Sequence, residues 1–332
     1  MPFTAKSGKF NASINAVEFG TGDKAVKIGG ENVFPLYSFD AAIENAPKVG
    51  IEITDFGMEH EPECIKKYYE GCATLADMAR KAASMEGVDF LSFRMEGGDP
   101  NGANKSTEEL IGELKEIADA VDLPLVVCGC KNVEKDAELF SKAAEALNGK
   151  NAVILSAKEE NYKTVGAAAG LAYKQIVGAE SAVDINLAKQ LNVLISQLGV
   201  DSKSVVMNVG SAAVGYGFEY VISTMDRVKA AALQQGDANL QMPIITPVAS
   251  ETWGVKESVA TEEDMPVASE AWGVKEAMAS ETDAPEWGSQ EERGIDMEVE
   301  TAMAVIAAGS NAVILKHPES IKIISGLMKE LV

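Results

Sequence analysis

The side chains of this sequence best suited to binding chemistry are carboxylates and amides that follow short apolar runs. Asp55, Glu96 with Asp99 and Asn101, Glu159 with Asn161, Asp184 with Asn186, and Asn208 all stand in such places. A small-residue stretch, Gly210 to Gly217, sets Tyr216 between Gly215 and Gly217, with Glu219 and Tyr220 just beyond. Amides and carboxylates hydrogen-bond a polar ligand, and the glycines let a bulky planar group or another backbone come close. The same residue types also serve plain structure, because a strand-end Asp or Asn accepts bonds from the orphan N–H groups that open the next helix. The choice is sharpest at Asp184-Ile185-Asn186, where an extended strand end would turn both polar side chains the same way.

Imidazoles and thiols are scarce: two histidines, His60 and His317, and four cysteines. Cys64 and Cys72 fall on one helical apolar stripe with Ile65, Tyr68, Leu75 and Ala79, where cysteine acts as a small hydrophobe. Cys128 and Cys130 end a predicted strand; a closed metal site normally takes about four ligands, so buried thiols are the reading for this pair. No Ser-His-Asp set is evident. The thiol content makes no disulfide framework, which fits a reducing compartment, and the first residues lack the apolar segment of a secretory leader, so the cytoplasm is expected. A formal charge of −22 with no Lys/Arg cluster repels phosphate backbones and anionic headgroups, so neither nucleic acid nor a membrane surface is an expected partner. The apolar runs also fall short of the roughly 18 to 20 residues that span a bilayer.

The elements that must hold these groups alternate between β-type runs and helical patterns, the signature of a parallel sheet wrapped by helices. After a hairpin-like stretch (Phe10 to Phe19, a turn at Thr21-Gly22-Asp23, then Lys24 to Ile28), eight strands are predicted. They run Gly50 to Asp55, Asp89 to Met95, Leu123 to Cys128, Ala152 to Ser156, Ala179 to Asp184, Ser204 to Asn208, Met242 to Thr246 and Asn311 to Lys316. One helix places Leu110, Ile111, Leu114, Ile117, Ala118 and Val121 on a face behind a Ser106/Glu109 capping box; another carries Leu187, Leu191, Leu194, Ile195 and Leu198 and stops near Gly199. Eight such units imply a closed barrel, the α/β TIM (β/α)8 fold. A doubly wound open sheet is disfavoured because the turn after the first strand, Thr54 to Glu59, lacks G-x-G-x-x-G. The expected layout is an N-terminal extension over 1–48 and a barrel over 49–332.

One segment interrupts the alternation after the seventh strand. Pro247 to Glu292 carries twelve Asp/Glu against two Lys, and within it PVASETWGVKE from Pro247 recurs as PVASEAWGVKE from Pro266. Two copies at this period are too few for a solenoid, whose units must stack to bury a core. An acidic inserted loop over 247–292 is expected, either a disordered solvated loop or, the favoured of the two, a partner-facing segment with Trp253, Trp272 and Trp287 as anchors in an interface.

Long stretches carry a resemblance: LSFRMEGGDPNGAN from Leu91, EENYKTVGAAAG from Glu159, SAVDINLAKQLN from Ser181, VGYGFEYVISTMDRVKAAALQ from Val214, MPIITPVASETWGVKE from Met242 and PEWGSQEERGIDMEVETAMAVIAAGSNAVILKHPES from Pro285. With these the chain resembles the small subunit of the corrinoid iron-sulfur protein, equivalent to the delta subunit of the archaeal acetyl-CoA decarbonylase/synthase complex. The resemblance implies a barrel paired with a large subunit that carries a corrinoid domain and the iron-sulfur cluster, with the corrinoid between the two. It implies further partners in a methyltetrahydrofolate methyltransferase and acetyl-CoA synthase, and a carrier of methyl groups rather than a self-contained enzyme. The chain itself has no Asp-x-His-x-x-Gly motif and no four-cysteine array. On this reading Asn101, Asn161, Asp184, Asn186, Asn208, Gly215, Tyr216 and Gly217 line the corrin-facing surface. MNVGSAAVGYG from Met207 departs from the family's more polar end of strand six. Two other readings stay open: a free-standing pterin-dependent methyltransferase of the same fold, and a purely structural partner.

Overall fold

The computed structural model describes residues 8–254 and 289–332. Two short strands, β1 (Val17–Phe19) and β2 (Val26–Ile28), pair antiparallel as the predicted hairpin, with Val17 opposite Ile28. Eight parallel strands then form a closed barrel in chain order: β3 (Lys48–Thr54), β4 (Phe90–Arg94), β5 (Leu125–Cys128), β6 (Val153–Ala157), β7 (Ile176–Glu180), β8 (Val205–Asn208), β9 (Ile244–Pro247) and β10 (Ser310–Leu315), the last pairing back onto β3. The fold class read from the alternation is the fold observed.

Strand side chains alternate between two cores, as a period of two requires. Leu91, Phe93, Val127, Ile154, Val177 and Met207 face outward and pack under the helices, while Phe90, Val126, Val153, Ile176, Val206 and Ile245 face inward. The hairpin closes the amino-terminal end of the barrel by adding Val17, Phe19, Val26 and Ile28 to that inner core, with the Phe19 ring edge-on to Phe90 at 5.5 Å. Strands buried on both faces read as nearly continuous apolar runs. This is why the sequence locates seven of the eight to within two residues at each end.

The outer layer is α1 (Glu63–Lys66), α2 (Leu75–Ala83), α3 (Thr107–Ala120), α4 (Val133–Ala146), α5 (Tyr162–Val165), α6 (Ile185–Gln197), α7 (Phe218–Leu233), α8 (Ala249–Thr252), α9 (Gln290–Ala308) and α10 (Pro318–Leu331). Ser106 caps α3 through the Glu109 N–H, and Gly199 ends α6 in a left-handed conformation (φ 102°). Among the described residues, no helix is long and apolar enough to cross a membrane.

Three expectations need correction. The fifth barrel strand lies at Ile176–Glu180 rather than Ala179 to Asp184, because Ala182 and Val183 turn left-handed (φ 44° and 68°) and end the extended run early. The single helix drawn through Cys64 and Cys72 is broken: Gly71 has φ 85°, and Thr74 opens α2 afresh with a reciprocal capping box to Asp77. Both thiols are half-buried against the core. Thirdly, the acidic insertion does not begin at Pro247. Pro247 ends β9, Val248, Ala249 and Thr252 are buried, and Trp253 is a core residue rather than an interface anchor. Its ring stacks on His317 at 5.8 Å, and Gly294 of α9 lies so close that a Cβ there would sit 2.4 Å from the indole. The second repeat, Trp272 and Trp287 lie outside the described residues.

Candidate functional site

Among the described residues the carboxyl end of the barrel is open where the amino end is plugged, and its inward side chains are charged. Glu52 of β3 and Arg94 of β4 face each other inside the barrel, with Arg94 Nε donating to Glu52 Oε2 at 3.0 Å. Arg94 Nη2 lies 2.9 Å from the same oxygen but off the hydrogen-bond line, and among the described residues it has no hydrogen-bonding partner. Burial opposes the guanidinium charge, yet the Glu52 carboxylate outweighs it and holds Arg94 protonated. Lys316, just past β10, makes a two-oxygen contact with Glu61 at 2.8 and 3.0 Å and stays charged for the same reason.

On the opposite wall the Ser156 hydroxyl donates to Glu180 at 3.0 Å, Lys158 lies 3.2 Å from Glu180, and Asn208 Nδ2 donates to Ser156 Oγ at 3.1 Å. Two adjoining cavities open between these walls, of about 270 and 310 Å3. They share Arg94, Gly129, Lys131 and Ser250 as lining residues, so Arg94 stands where they meet. The larger is also lined by His60, Glu96, Asp99 and Trp253.

The residues singled out from sequence divide three ways. Asn208 is on the wall of the smaller cavity and nine-tenths buried. Asn101, Asp184, Asn186, Gly215 and Tyr216 lie exposed, with Gly217 half-buried beside them, and Tyr220 is 67% exposed. Gly215 and Gly217 take φ of 86° and 82°, the left-handed turn that leads into α7. Asn161 is buried but points away from both cavities: its carbonyl accepts from the Lys158 N–H and its amide donates to Val133.

Asp184 and Asn186 do not share a strand face. Asp184 is the cap of α6, accepting from the N–H groups of Asn186 and Leu187 at 2.7 and 3.2 Å, and Asn186 is already helical. Asp55 is likewise a structural clasp: it accepts from Gly97 N–H at 2.9 Å, and a Cβ at Gly97 would collide with it. It pins the GGDPNGAN loop whose tip carries Asn101. The Cys128-Gly129-Cys130 run is explained by Asp136 of α4, which accepts from the Cys130 N–H at 2.7 Å through the space a Gly129 side chain would fill. Burial pushes the Cys128 thiol up to about 11 and the Cys130 thiol to about 12, so neither is a ready thiolate. No group of three His, Cys, Asp or Glu able to hold a metal occurs among the described residues.

Glu52, Arg94, Ser156 and Glu180, which lie within strands, and Lys316, just past β10, are not among the site residues expected from the sequence. Their signal is present in the strands themselves: Glu52 and Arg94 are the charged members of the otherwise apolar runs GIEIT and FLSFR.

Residues 16–319 match the family model of the CO dehydrogenase/acetyl-CoA synthase delta subunit. The chain belongs to this family. It is 29% identical over 313 residues to the acetyl-CoA decarbonylase/synthase complex subunit delta 1 of Methanosarcina thermophila, covering 94% of this chain and 67% of that one. The subunit delta of Methanocaldococcus jannaschii is also 29% identical, covering 97% and 75%. This family member thus spans two-thirds to three-quarters of the length of these relatives. In fold it is similar to the 7,8-dihydropteroate synthase of Vibrio fischeri, with a TM-score of 0.54 at 9% identity over 95% of this chain and 98% of that one.

Proposed function

We propose that this delta-subunit family member is the small subunit of a heterodimeric corrinoid iron-sulfur methyl carrier, and that its barrel mouth covers a corrinoid held mainly by a large partner subunit. The observation that carries the reading is the form of the mouth. Its cavities lie near the lower limit of about 300 Å3 for a drug-sized ligand, so a macrocycle lies across the opening and only its side groups enter. A cofactor of that shape needs a second wall from a partner. The orphaned N–H of Arg94, on a side chain nine-tenths buried, gives the fit a specific point, since a corrin bears carbonyl groups around its rim.

Arg94, Asn208 and Lys131 would hold the rim groups, and the exposed Tyr216, Tyr220, Asn101, Asp184 and Asn186 would meet the ring edge or the partner. When bound, the corrinoid supplies a cobalt that carries a methyl group. The chain's own part is to hold the macrocycle in one orientation and keep water from one of its faces. Membership of the family supports placing that carrier between a methyltetrahydrofolate methyltransferase and acetyl-CoA synthase, with the iron-sulfur cluster on the large subunit, in the cytoplasm.

The test is a native mass spectrum of the protein purified without oxygen from its own host. A heterodimer retaining one corrinoid is the expected result. A self-assembled, corrinoid-free species that binds methyltetrahydrofolate would replace this reading with a free-standing pterin methyltransferase.

A further inference from the structure

The two cavities of the mouth are asymmetric in charge: among their described lining residues stand four Lys or Arg against seven Asp or Glu. Lys131, Lys158 and Lys316 each have a carboxylate partner within 3.2 Å, so they offer an incoming anion little unmet charge. A phosphate or carboxylate ligand would therefore enter against a net negative wall. A cationic ligand would suit the carboxylates but would bring no acceptor to Arg94 Nη2 at the junction.

A neutral group with a carbonyl and N–H donors side by side satisfies both constraints. Its oxygen accepts from Arg94 Nη2, which is ion-paired with Glu52 but makes no hydrogen bond to it, and its N–H groups donate to carboxylates nearby, of which Glu96 and Asp99 line the larger cavity beside Arg94. Leaving a buried charged donor unpaired is costly, so supplying its acceptor contributes more than an exposed hydrogen bond would.

We infer that Arg94 is the recognition residue of a primary-amide subsite in the barrel mouth, which on the corrinoid reading above receives a rim amide of the macrocycle. Arg94 positions the carbonyl, and the carboxylates beyond it select –NH2 over a group that cannot donate.

The test uses the full chain assembled with its corrinoid-carrying partner, stripped of cofactor and reloaded with one of two probes. Cobinamide carries rim amides; heptamethyl cobyrinate carries methyl esters, which keep the carbonyl and lose the donors. Binding is read from visible absorbance of the complex, with circular dichroism as the check on folding. The wild-type complex should bind the amide form about tenfold or more tightly than the ester. Arg94→Lys keeps the charge but not the planar fork, and should weaken cobinamide binding by a similar factor while collapsing the amide preference towards one. A wild-type complex that binds both probes equally, or an Arg94→Lys complex with undiminished preference, overturns the amide subsite and leaves the corrinoid reading standing. A folded complex that binds neither probe overturns both. The probe comparison on the wild type needs no substitution, so equal binding of the two probes overturns the amide subsite even if Arg94 variants fail to fold.

Discussion

The two ends of this barrel follow one alternation and bury opposite kinds of side chain. At the amino end the inward positions hold Phe90, Val126, Val153, Ile176 and Val206, sealed by Phe19 and Ile28 of the hairpin. A few residues further along the same strands, the inward positions hold Glu52, Arg94, Ser156, Glu180 and Asn208 around two cavities. Apolar packing at the closed end stabilises the fold by transfer from water. Buried ion pairs at the open end bring little net stability, because desolvation consumes most of their attraction. The difference teaches that the mouth is kept charged for what it meets rather than for what it holds together.

The most direct way to break that contrast is at the plug. Phe90→Ala removes a ring packed edge-on against Phe19 and lying over the bare face of Gly50, and should cost about 3–5 kcal/mol in urea unfolding. Below the melting temperature, partner and corrinoid binding should be unchanged. A loss of binding without a loss of stability would reverse the assignment of the two ends.

His317 tests the wall behind the mouth through pH. Its Nδ1 accepts from the Glu319 N–H, so the proton of the neutral ring is on Nε2, facing Glu291 at 3.3 Å. Burial lowers its pKa to about 4, although Glu291 pulls the other way. The unfolded chain, with an ordinary histidine near 6.5, therefore takes up the proton first as pH falls. Stability is full above 6.5 and is lost on descending towards 4, by about 3 kcal/mol. His317→Asn keeps the α10 cap and removes the titration. The wild type should lose that amount relative to the variant between pH 7 and pH 4, and parallel pH curves would refute the assignment.

At the mouth itself the stability effect should be smaller and the functional effect larger. Replacing the Glu52–Arg94 pair with two methionines should leave unfolding within about 1 kcal/mol of wild type or make the protein more stable, while corrinoid retention falls. A severe loss of stability would place the pair with the plug rather than with the site.

These contrasts also mark what the sequence could convey. The barrel was legible because parallel strands are apolar on both faces, and because helix starts such as Ser106 and stops such as Gly199 have local chemistry. The true end of β7 was not, since Ala182 and Val183 adopt left-handed backbone without being glycine or asparagine. That hidden turn is why Asp184 was considered for the mouth when it caps a helix instead. Asn208 was found because it ends its strand; Arg94 and Glu52 were missed because a charge inside an apolar run reads as noise until the strand's inward face is known.

The duplicated segment offers the finest test. The first copy is seated in the barrel wall through Val248, Ala249, Thr252 and Trp253. Deleting Pro247 to Met265 joins Thr246 to Pro266 and presents PVASEAWGVKE to the same seat, differing from the first copy only in alanine for Thr252. Every apolar contact of the seat can then be remade, including the indole against His317 and Gly294. What is lost is the Thr252 hydroxyl, which donates to the Val248 carbonyl at 3.0 Å within α8, worth about 1 kcal/mol. The deletion variant should therefore unfold cooperatively within a few degrees of the parent. Replacing Trp272 by alanine in that deletion should cost about 3–5 kcal/mol, as expected of a buried tryptophan. If the deletion abolishes cooperative unfolding, the two copies are not equivalent in the seat, and the second was retained for a role that the barrel wall does not share.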